Sequence, residues 1–413
     1  MLKLIKPYPV GQAVPVYWSY ILSLGLIFFV VGELFNTSGG RHAFQTYMLL
    51  FLPSLILLLK ERLCREFWAR PESILFLAFL GVAFLQGVFN PGAEESVGHW
   101  LKIMLLIALY IYAIGKVMQN EKAFHTFLYA CVFGAALFAI WTIIYQYVVL
   151  GKELDYLTIR RNRLYEVGYK GFGDLGNPVI SGLFYSVPAI VGMYLFIGCK
   201  KKLWLDGLLV LAIGAIFVYI VLTLSRSAWF AVAAGSLVIL FLNPNRKSLI
   251  AGVVLFGFSI AVVLLFSEEL RHLKERGLSG RELIWRDWLN NLNDFWLLGA
   301  GLGQDYLYKF DKRMVTYHAH SLYLQVWYEM GVIGFGLFLA MLLSLLKKGW
   351  EHRKHKLAKL GLGLLAFSMM AMVADVGTLF DKRDYWWVVT WLPFGILLGL
   401  HVSERKSVGR QGA

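Results

Sequence analysis

Charged residues are scarce in this sequence: they make up 16% of its 413 residues, whereas soluble globular domains carry about one quarter. Hydrophobic residues make up 58% of the chain and fall into long uninterrupted runs. A soluble protein of this length would divide into two or three domains. The scarcity of charge argues against that organisation and predicts a single transmembrane domain over residues 1–413.

Cysteine is also scarce. The three cysteines, Cys64, Cys131 and Cys199, are far apart, which argues against a disulfide framework or a metal-binding motif and predicts buried or inert thiols. No clear small-residue cleavage site follows the first apolar run. We therefore expect residues 16–31 to be retained as a membrane span and not removed as a signal peptide.

Twelve apolar runs are long enough to form membrane-spanning helices. They cover residues 16–34, 43–59, 73–89, 99–115, 124–149, 179–198, 204–223, 227–242, 248–266, 322–346, 357–375 and 385–401. The sequence thus predicts an all-α polytopic membrane protein with about 12 transmembrane helices.

Lys and Arg are concentrated in alternate connections between these runs, which predicts that those connections lie in the cytoplasm. They are residues 60–70, 200–202, 246–247 and 347–359 and the C-terminal tail. With twelve spans, both termini are then cytoplasmic. Two long connections, residues 151–178 and 267–321, face outward, and helical periodicity in residues 281–292 predicts that the larger one folds against the bundle.

The two outward-facing connections carry thirteen Lys and Arg residues, against the usual charge asymmetry of membrane proteins. A formal charge of +14 would suggest nucleic acid in a soluble protein. In a membrane protein, cytoplasmic loops account for much of such an excess, so we expect membrane lipids and no nucleic acid as partners. The outer loops are either a solvated basic surface or a site for a phosphorylated ligand.

Two arginines are candidates for binding such a ligand. Arg226 lies in the short connection Thr223–Trp229 between two apolar runs, where it either snorkels to lipid headgroups or faces a phosphate in a cavity. Arg281 follows Gly280 at a predicted helix start, where the helix dipole and the guanidinium both favour an anion. The alternative for Arg281 is an ordinary amphipathic loop helix.

A third basic group precedes a predicted span. Arg160, Arg161 and Arg163 are followed by glycines and by Asn177-Pro178, which predicts a shaped turn at the membrane surface. These arginines are candidates for binding phosphate; otherwise the segment is a capped helix entry.

His318 and His320 precede a membrane helix on the outer side. Two histidines at this spacing have no third ligand nearby, so a metal site is not favoured. A neutral histidine is a good general base for a hydroxyl; the alternative is a histidine that caps the helix or is hydrogen-bonded within the bundle. The sequence leaves open which of the two faces a cavity. The nearby Gly299-x-Gly301-x-Gly303 predicts a tight turn and no dinucleotide site, because no strand precedes it.

In their order along the chain, these residues resemble the O-antigen ligase and O-antigen polymerase superfamily of bacterial inner-membrane glycosyltransferases. The matching motifs are Ser225-Arg226-x-x-Trp229, Gly280-Arg281 with Trp285, Gly299-x-Gly301-x-Gly303, His320-Ser-x-x-Leu324 leading to Glu329-x-Gly331-x-x-Gly334, and the Gly173–Pro178 turn. The resemblance covers roughly residues 160–345. Ser321 stands where family members often have Asn.

The resemblance implies a GT-C-type helical fold and transfer of a glycan from undecaprenyl diphosphate on the periplasmic face, with no metal or nucleotide cofactor. By the family's pattern, Arg226 and Arg281 hold the diphosphate and His320 acts on the acceptor hydroxyl. Arginine charge would neutralise the departing diphosphate. Attack from the opposite face would invert the anomeric centre.

Three functions stay open at this point. The first, favoured by the single large late outer loop, is an O-antigen ligase that transfers the glycan to a lipid A–core hydroxyl. The second is an O-antigen or exopolysaccharide polymerase, or a protein O-oligosaccharyltransferase, using the same donor class. The third is a transporter, which is disfavoured because Glu33, Lys102 and Asp375 lie near the ends of predicted spans and not at their middles.

Overall fold

The computed structural model describes residues 15–89, 95–199, 202–265, 267, 280–310, 315–381 and 385–400. The helices in these regions are α1 (Tyr17–Val30), α2 (Gly32–Phe35), α3 (Gly39–Thr46), α4 (Leu52–Lys60), α5 (Arg65–Trp68), α6 (Pro71–Phe89), α7 (Val97–Met118), α8 (Glu121–Ile143), α9 (Tyr156–Arg161), α10 (Pro178–Gly198), α11 (Leu203–Leu222), α12 (Arg226–Leu242), α13 (Arg246–Leu265), α14 (Arg281–Asn290), α15 (Leu292–Phe295), α16 (Leu322–Glu351), α17 (Lys356–Ala374), α18 (Tyr385–Val389) and α19 (Trp391–Gly399). Two short strands, β1 (Tyr308–Lys309) and β2 (Val315–Thr316), pair antiparallel. Two π-helical segments, Tyr47–Phe51 and Ile144–Val149, continue α3 and α8.

Nine helical segments of the described residues are long and apolar enough to cross a membrane. They are α6, α7, α10, α11, α13, α16 and α17, and two composite segments, Gly39–Lys60 and Glu121–Val149. Two further apolar helices, α1 and α12, are shorter, at 14 and 17 residues. The chain is a polytopic helical membrane protein, as predicted. The count of twelve spans and the GT-C type stay predictions.

The last predicted span, residues 385–401, is divided at Thr390 into α18 and α19. The Thr390 hydroxyl donates a hydrogen bond to the carbonyl oxygen of Trp386 at 2.8 Å, and such a bond back to the preceding turn often bends a helix. Both short helices are buried, with Trp387 and Trp391 almost inaccessible to solvent. They pack inside the bundle against α10 and α7.

The bundle has a buried centre and one peripheral helix. Every residue of α10 from Ile180 to Leu195 is buried. In α13, by contrast, only Ser248 is buried, so the apolar surface of this helix faces outward, as suits contact with lipid. The three cysteines are free; Cys131 is buried, and Cys64 and Cys199 are half-buried.

The described part of the long connection between α13 and α16 folds onto the bundle. Ile284 and Trp288 on α14 are buried together with Phe295 and Tyr306. This small apolar cluster packs against Leu324, Trp327 and Tyr328 on α16. The predicted helix therefore exists and covers the start of α16.

Candidate functional site

A cavity of about 680 Å³ opens at the end of the bundle where α7, α10 and α16 begin and α17 ends. Its walls come from segments far apart in the sequence, including the loop after α15 and the segment before α16. The ionisable side chains that line it are Glu95, His99, Arg163, Asp305, Tyr317, His318, His320, Glu329, Asp375 and Asp381.

His320 lies in a tight turn that its neighbours hold in place. Its backbone is left-handed, with φ at 50°, a conformation that a non-glycine residue adopts only when the surrounding structure imposes it. The preceding residue, Ala319, donates its N–H to Oε1 of Gln325 at 3.1 Å and accepts from Nε1 of Trp285 at 3.0 Å. Gln325 donates in turn to Oε1 of Glu329 at 2.9 Å. Groups from both the outer loop and α16 thus determine where the His320 ring stands.

The two histidines interact directly. Their ring centroids are 4.0 Å apart, and Nδ1 of His318 accepts a hydrogen bond from the backbone N–H of His320 at 3.1 Å. An accepting Nδ1 carries no proton, so neutral His318 has its proton on Nε2.

The pKa values of both histidines are lowered, which favours the neutral rings. Burial is the main cause that lowers the pKa of His318. Burial, and then the neighbouring His318 and Arg281, lower the pKa of His320 to about 4. At neutral pH, therefore, both rings are neutral. The acceptor nitrogen of His318 is occupied by the His320 N–H, so His320 is the ring with a nitrogen able to accept a proton from a substrate.

Arg281 is positioned by the geometry of its helix start. It is the first residue of α14, after Gly280, whose φ of 81° and close approach to Phe310 suit glycine. Its guanidinium forms an ion pair with the carboxylate of Asp375, directly after α17. Asp375 lines the cavity and Arg281 does not, so Arg281 stands one residue behind the wall.

Arg163 lines the cavity and supports a second arginine. Its Nε donates to the carbonyl oxygen of Thr223 at 2.6 Å and a terminal nitrogen donates to that of Leu224 at 3.2 Å. Burial is the main cause that lowers the pKa of Arg163, to about 10, which leaves it charged at neutral pH. Leu224 is left-handed, with φ at 47°, and Arg226 begins α12 two residues later. Arg163 thus holds the turn from which Arg226 projects.

Besides Arg281, three predicted site residues do not line the cavity. Arg226 is half-buried, and its turn is tied to α11 by a 3.1 Å hydrogen bond from Nε1 of Trp229 to the carbonyl oxygen of Ile220. Arg160 is half-buried and Arg161 is exposed, both at the end of α9. The cavity therefore unites Arg163, His318 and His320. Arg281 lies behind its wall on Asp375, and Arg226 follows the turn that Arg163 binds.

The glycine motifs form one crossing of two backbones. The helix α16 is interrupted at Gly331, whose φ is 62°, and a Cβ on Gly331 would collide with the backbone of Leu297. Across this crossing, the N–H of Ala300 donates to Tyr328 at 2.7 Å and the N–H of Gly301 donates to Glu329 at 3.1 Å, both to carbonyl oxygens. Gly299, Gly301 and Gly303 all have positive φ, which confirms the predicted turn. The crossing fixes the loop wall of the cavity relative to α16.

From the sequence, Asp375 was noted only as a charge near the end of a predicted span, and it was not assigned to the site; Glu95, His99, Asp305 and Asp381 also line the cavity without having been predicted. The only signal for Asp375 was a carboxylate at the outer end of an apolar run. As for metals, within the described residues no three or more His, Cys, Asp and Glu side chains are grouped so that they could hold a metal ion; metal independence stays a prediction.

Comparisons with known proteins agree with the motifs. The O-antigen ligase family model matches residues 207–339, a stretch that holds Arg226, Arg281 and both histidines. An O-antigen ligase of Pseudomonas aeruginosa is 24% identical over 395 residues, covering 95% of this chain and 94% of the relative. The chain is thus similar to O-antigen ligases over nearly its whole length, which confirms the resemblance and indicates a glycosyltransferase-like enzyme. Arg163 and Asp375 lie outside the matched stretch.

Proposed function

We propose that this protein is an O-antigen ligase that transfers a glycan from undecaprenyl diphosphate to a lipid A–core hydroxyl on the periplasmic face of the bacterial inner membrane. The observation that carries the proposal is the pairing of a neutral, tightly positioned His320 with Arg163 in one cavity. The similarity to O-antigen ligases over most of the chain favours this acceptor over those of a polymerase or a protein glycosyltransferase.

The arginines receive the leaving group. As the bond between the sugar and the diphosphate breaks, negative charge grows on the phosphate oxygens, and guanidinium groups stabilise it by charge-assisted hydrogen bonds. Arg163 lines the cavity and can contact this charge directly. Arg226 supplies a second cation at the start of α12, next to the turn that Arg163 binds. Arg281, held at the wall by Asp375, exchanges part of that ion pair for the more highly charged diphosphate.

His320 receives the proton of the acceptor hydroxyl, and His318 holds its turn through Nδ1. General-base help of this kind contributes roughly 10²–10⁴-fold. A free-enzyme pKa of about 4 makes His320 a weak base before the donor binds. Arrival of the diphosphate raises that pKa, because a nearby anion stabilises the imidazolium. The donor therefore activates the base for its own transfer.

The proposal also specifies the stereochemistry of transfer, the place of the lipid tail and the independence from metal. An acceptor activated by His320 approaches the sugar opposite to the diphosphate, which inverts the anomeric centre. The polyprenyl tail lies among apolar helix surfaces in the bilayer. Since arginines supply the charge compensation, no metal is required, and transfer persists in a chelator.

The test is the lipopolysaccharide of a strain that lacks the gene. Loss of all long glycan from the core, restored by the wild-type gene and not by His320→Gln, is the expected result. A core that carries a single repeat unit would point to a polymerase. An unchanged banding pattern would reject both functions.

A further inference from the structure

A second cavity, of about 400 Å³, lies at the opposite end of the bundle, where α12 and α16 end and α17 begins. The 30 residues of α16 separate it from the His320 turn by roughly 45 Å of helix, so it is not part of the site described above. Three apolar and three cationic side chains line it: Phe241, Leu242, Trp350, Arg353, Lys354 and Lys359.

Two of these cations are held in place by neutral groups. The Arg353 guanidinium lies 4.8 Å from the centre of the Trp350 ring and donates to the Trp350 carbonyl oxygen at 2.9 Å. Nζ of Lys359 donates to Oδ1 of Asn243 at 3.1 Å. These contacts orient the side chains and leave their positive charge uncompensated.

Four other lysines at this end of the bundle have a carboxylate partner: Lys116 with Glu61 at 2.6 Å, Lys247 with Asp206 at 2.5 Å, Lys348 with Glu72 at 3.7 Å, and Lys347 with Glu351 at 3.9 Å. Within the part of the chain that the structure describes, no carboxylate pairs with Arg353, Lys354 or Lys359 in this way. Three cations around one cavity, two of them oriented by neutral groups, therefore have no carboxylate partner among the described residues.

The apolar half of the cavity decides what kind of anion fits. Phe241 and Trp350 are 73% and 48% exposed, at the ends of two helices that traverse the bundle. A free inorganic anion makes no use of such side chains, whereas a lipid places acyl chains beside them and its phosphate beside the cations. Basic pockets between membrane helices are known to bind anionic lipid headgroups in this way.

We propose that this cavity is a binding site for an anionic phospholipid, with the headgroup phosphate on Arg353, Lys354 and Lys359 and the acyl chains against Phe241 and Trp350. The site is separate from the proposed transfer reaction and does not depend on it. Its occupant bridges the ends of α12, α16 and α17.

The experiment is native mass spectrometry of the detergent-purified full chain titrated with phosphatidylglycerol. The expected result is a saturable complex whose affinity falls about tenfold or more in the variant R353Q/K354Q/K359Q, since each basic residue near a lipid headgroup contributes substantially to its attraction. The matched control K122Q/K202Q/K347Q removes three exposed lysines of the same end, outside the cavity, and should bind normally. Lys354→Glu alone reverses one exposed charge, should also weaken binding, and keeps the test valid if the triple variant misfolds.

Three outcomes would overturn the site. Equal weakening in the control variant would mean unspecific attraction to a basic surface. Equal binding of zwitterionic phosphatidylcholine would remove the role of the cations. Competition by millimolar inorganic phosphate as strong as that by the lipid would mean that the cavity holds phosphate without acyl chains.

Discussion

Nδ1 of His318 accepts the backbone N–H of His320 at 3.1 Å, and this bond makes the two histidines unequal. Nδ1 of His318 is occupied by this hydrogen bond, which holds the turn, whereas the ring of His320 makes no comparable backbone contact among the described residues. Both rings line the cavity, and this difference between them supports the proposal that His320 is the one that acts on substrate.

Variants at His318 test this division. In His318→Asn, the side-chain oxygen stands near the position of Nδ1 and still accepts the His320 N–H; in His318→Phe, no acceptor remains. We expect the Asn variant to keep a substantial part of the transfer rate and the Phe variant to lose about 10²-fold, since misplacing a catalytic group by about 1 Å has that effect. Rates measured with purified donor and acceptor check this, and equal loss in both variants would assign His318 a direct role in the chemistry.

The pH dependence of transfer reports on His320. The neutral ring is the active form, so activity falls as pH drops through its pKa. Because burial lowers that pKa from the ordinary 6.5 to about 4, the acid limb of kcat/KM, which reports the free enzyme, should lie well below pH 6. The acid limb of kcat should lie at higher pH, because the bound diphosphate raises the pKa. Coincident limbs near pH 6.5 would mean that an exposed histidine, and not buried His320, is the base.

The Trp285 hydrogen bond to Ala319 can be removed without removing an aromatic ring. Trp285→Phe deletes the N–H that holds the turn before His320, so we expect kcat to fall about tenfold with little change in KM. Trp327→Phe is the matched control, because its N–H bonds to the carbonyl oxygen of Trp296, away from the turn. The measurement is kcat and KM of both variants. Equal kcat values would mean that the Trp285 hydrogen bond does not position the His320 turn.

The sequence predicted the ionisable residues of the site better than it predicted their partners. Arg163 and Arg281 are conspicuous as positive charges in the two long connections that were expected to face outward, and His320 as an imidazole just before an apolar run. The ion pair of Arg281 with Asp375 joins residues 94 positions apart, and no local sequence pattern predicts that they are in contact.

The same limit applies to the backbone. Glycine spacing predicted a turn at Gly299 but could not predict that this turn crosses α16 at Gly331. Hydropathy predicted a continuous span over residues 385–401. It carries no information on the hydrogen bond from the Thr390 hydroxyl to the Trp386 carbonyl oxygen, at the point where the span divides into α18 and α19. Periodicity and hydropathy thus predict single helices, while contacts between helices arise from the three-dimensional packing.

The crossing at Gly331 should govern stability. Gly331→Ala places a methyl group on the Leu297 backbone and forces φ of 62° on a residue with a side chain, so we expect a loss of about 3 kcal/mol or more. Gly336→Ala, one turn further along the same helix with open space around it, should be neutral or stabilising by up to about 1 kcal/mol. Thermal unfolding in detergent compares them, and an equal midpoint for both variants would refute a tight crossing.

The Arg281–Asp375 pair admits two functions that binding measurements separate. Arg281→Gln and Asp375→Asn both break this partly buried ion pair, so both should lower the unfolding midpoint, because each leaves a charge without its partner. If Arg281 also binds the diphosphate, its variant should lower donor affinity about 10- to 100-fold, the effect of one charge-assisted hydrogen bond. The Asp375 variant should keep or increase donor affinity, because it removes a negative charge from the cavity wall beside an incoming anion. Equal loss of donor affinity in the two variants would reduce Arg281 to a structural partner and leave Arg163 and Arg226 as the cations that hold the diphosphate.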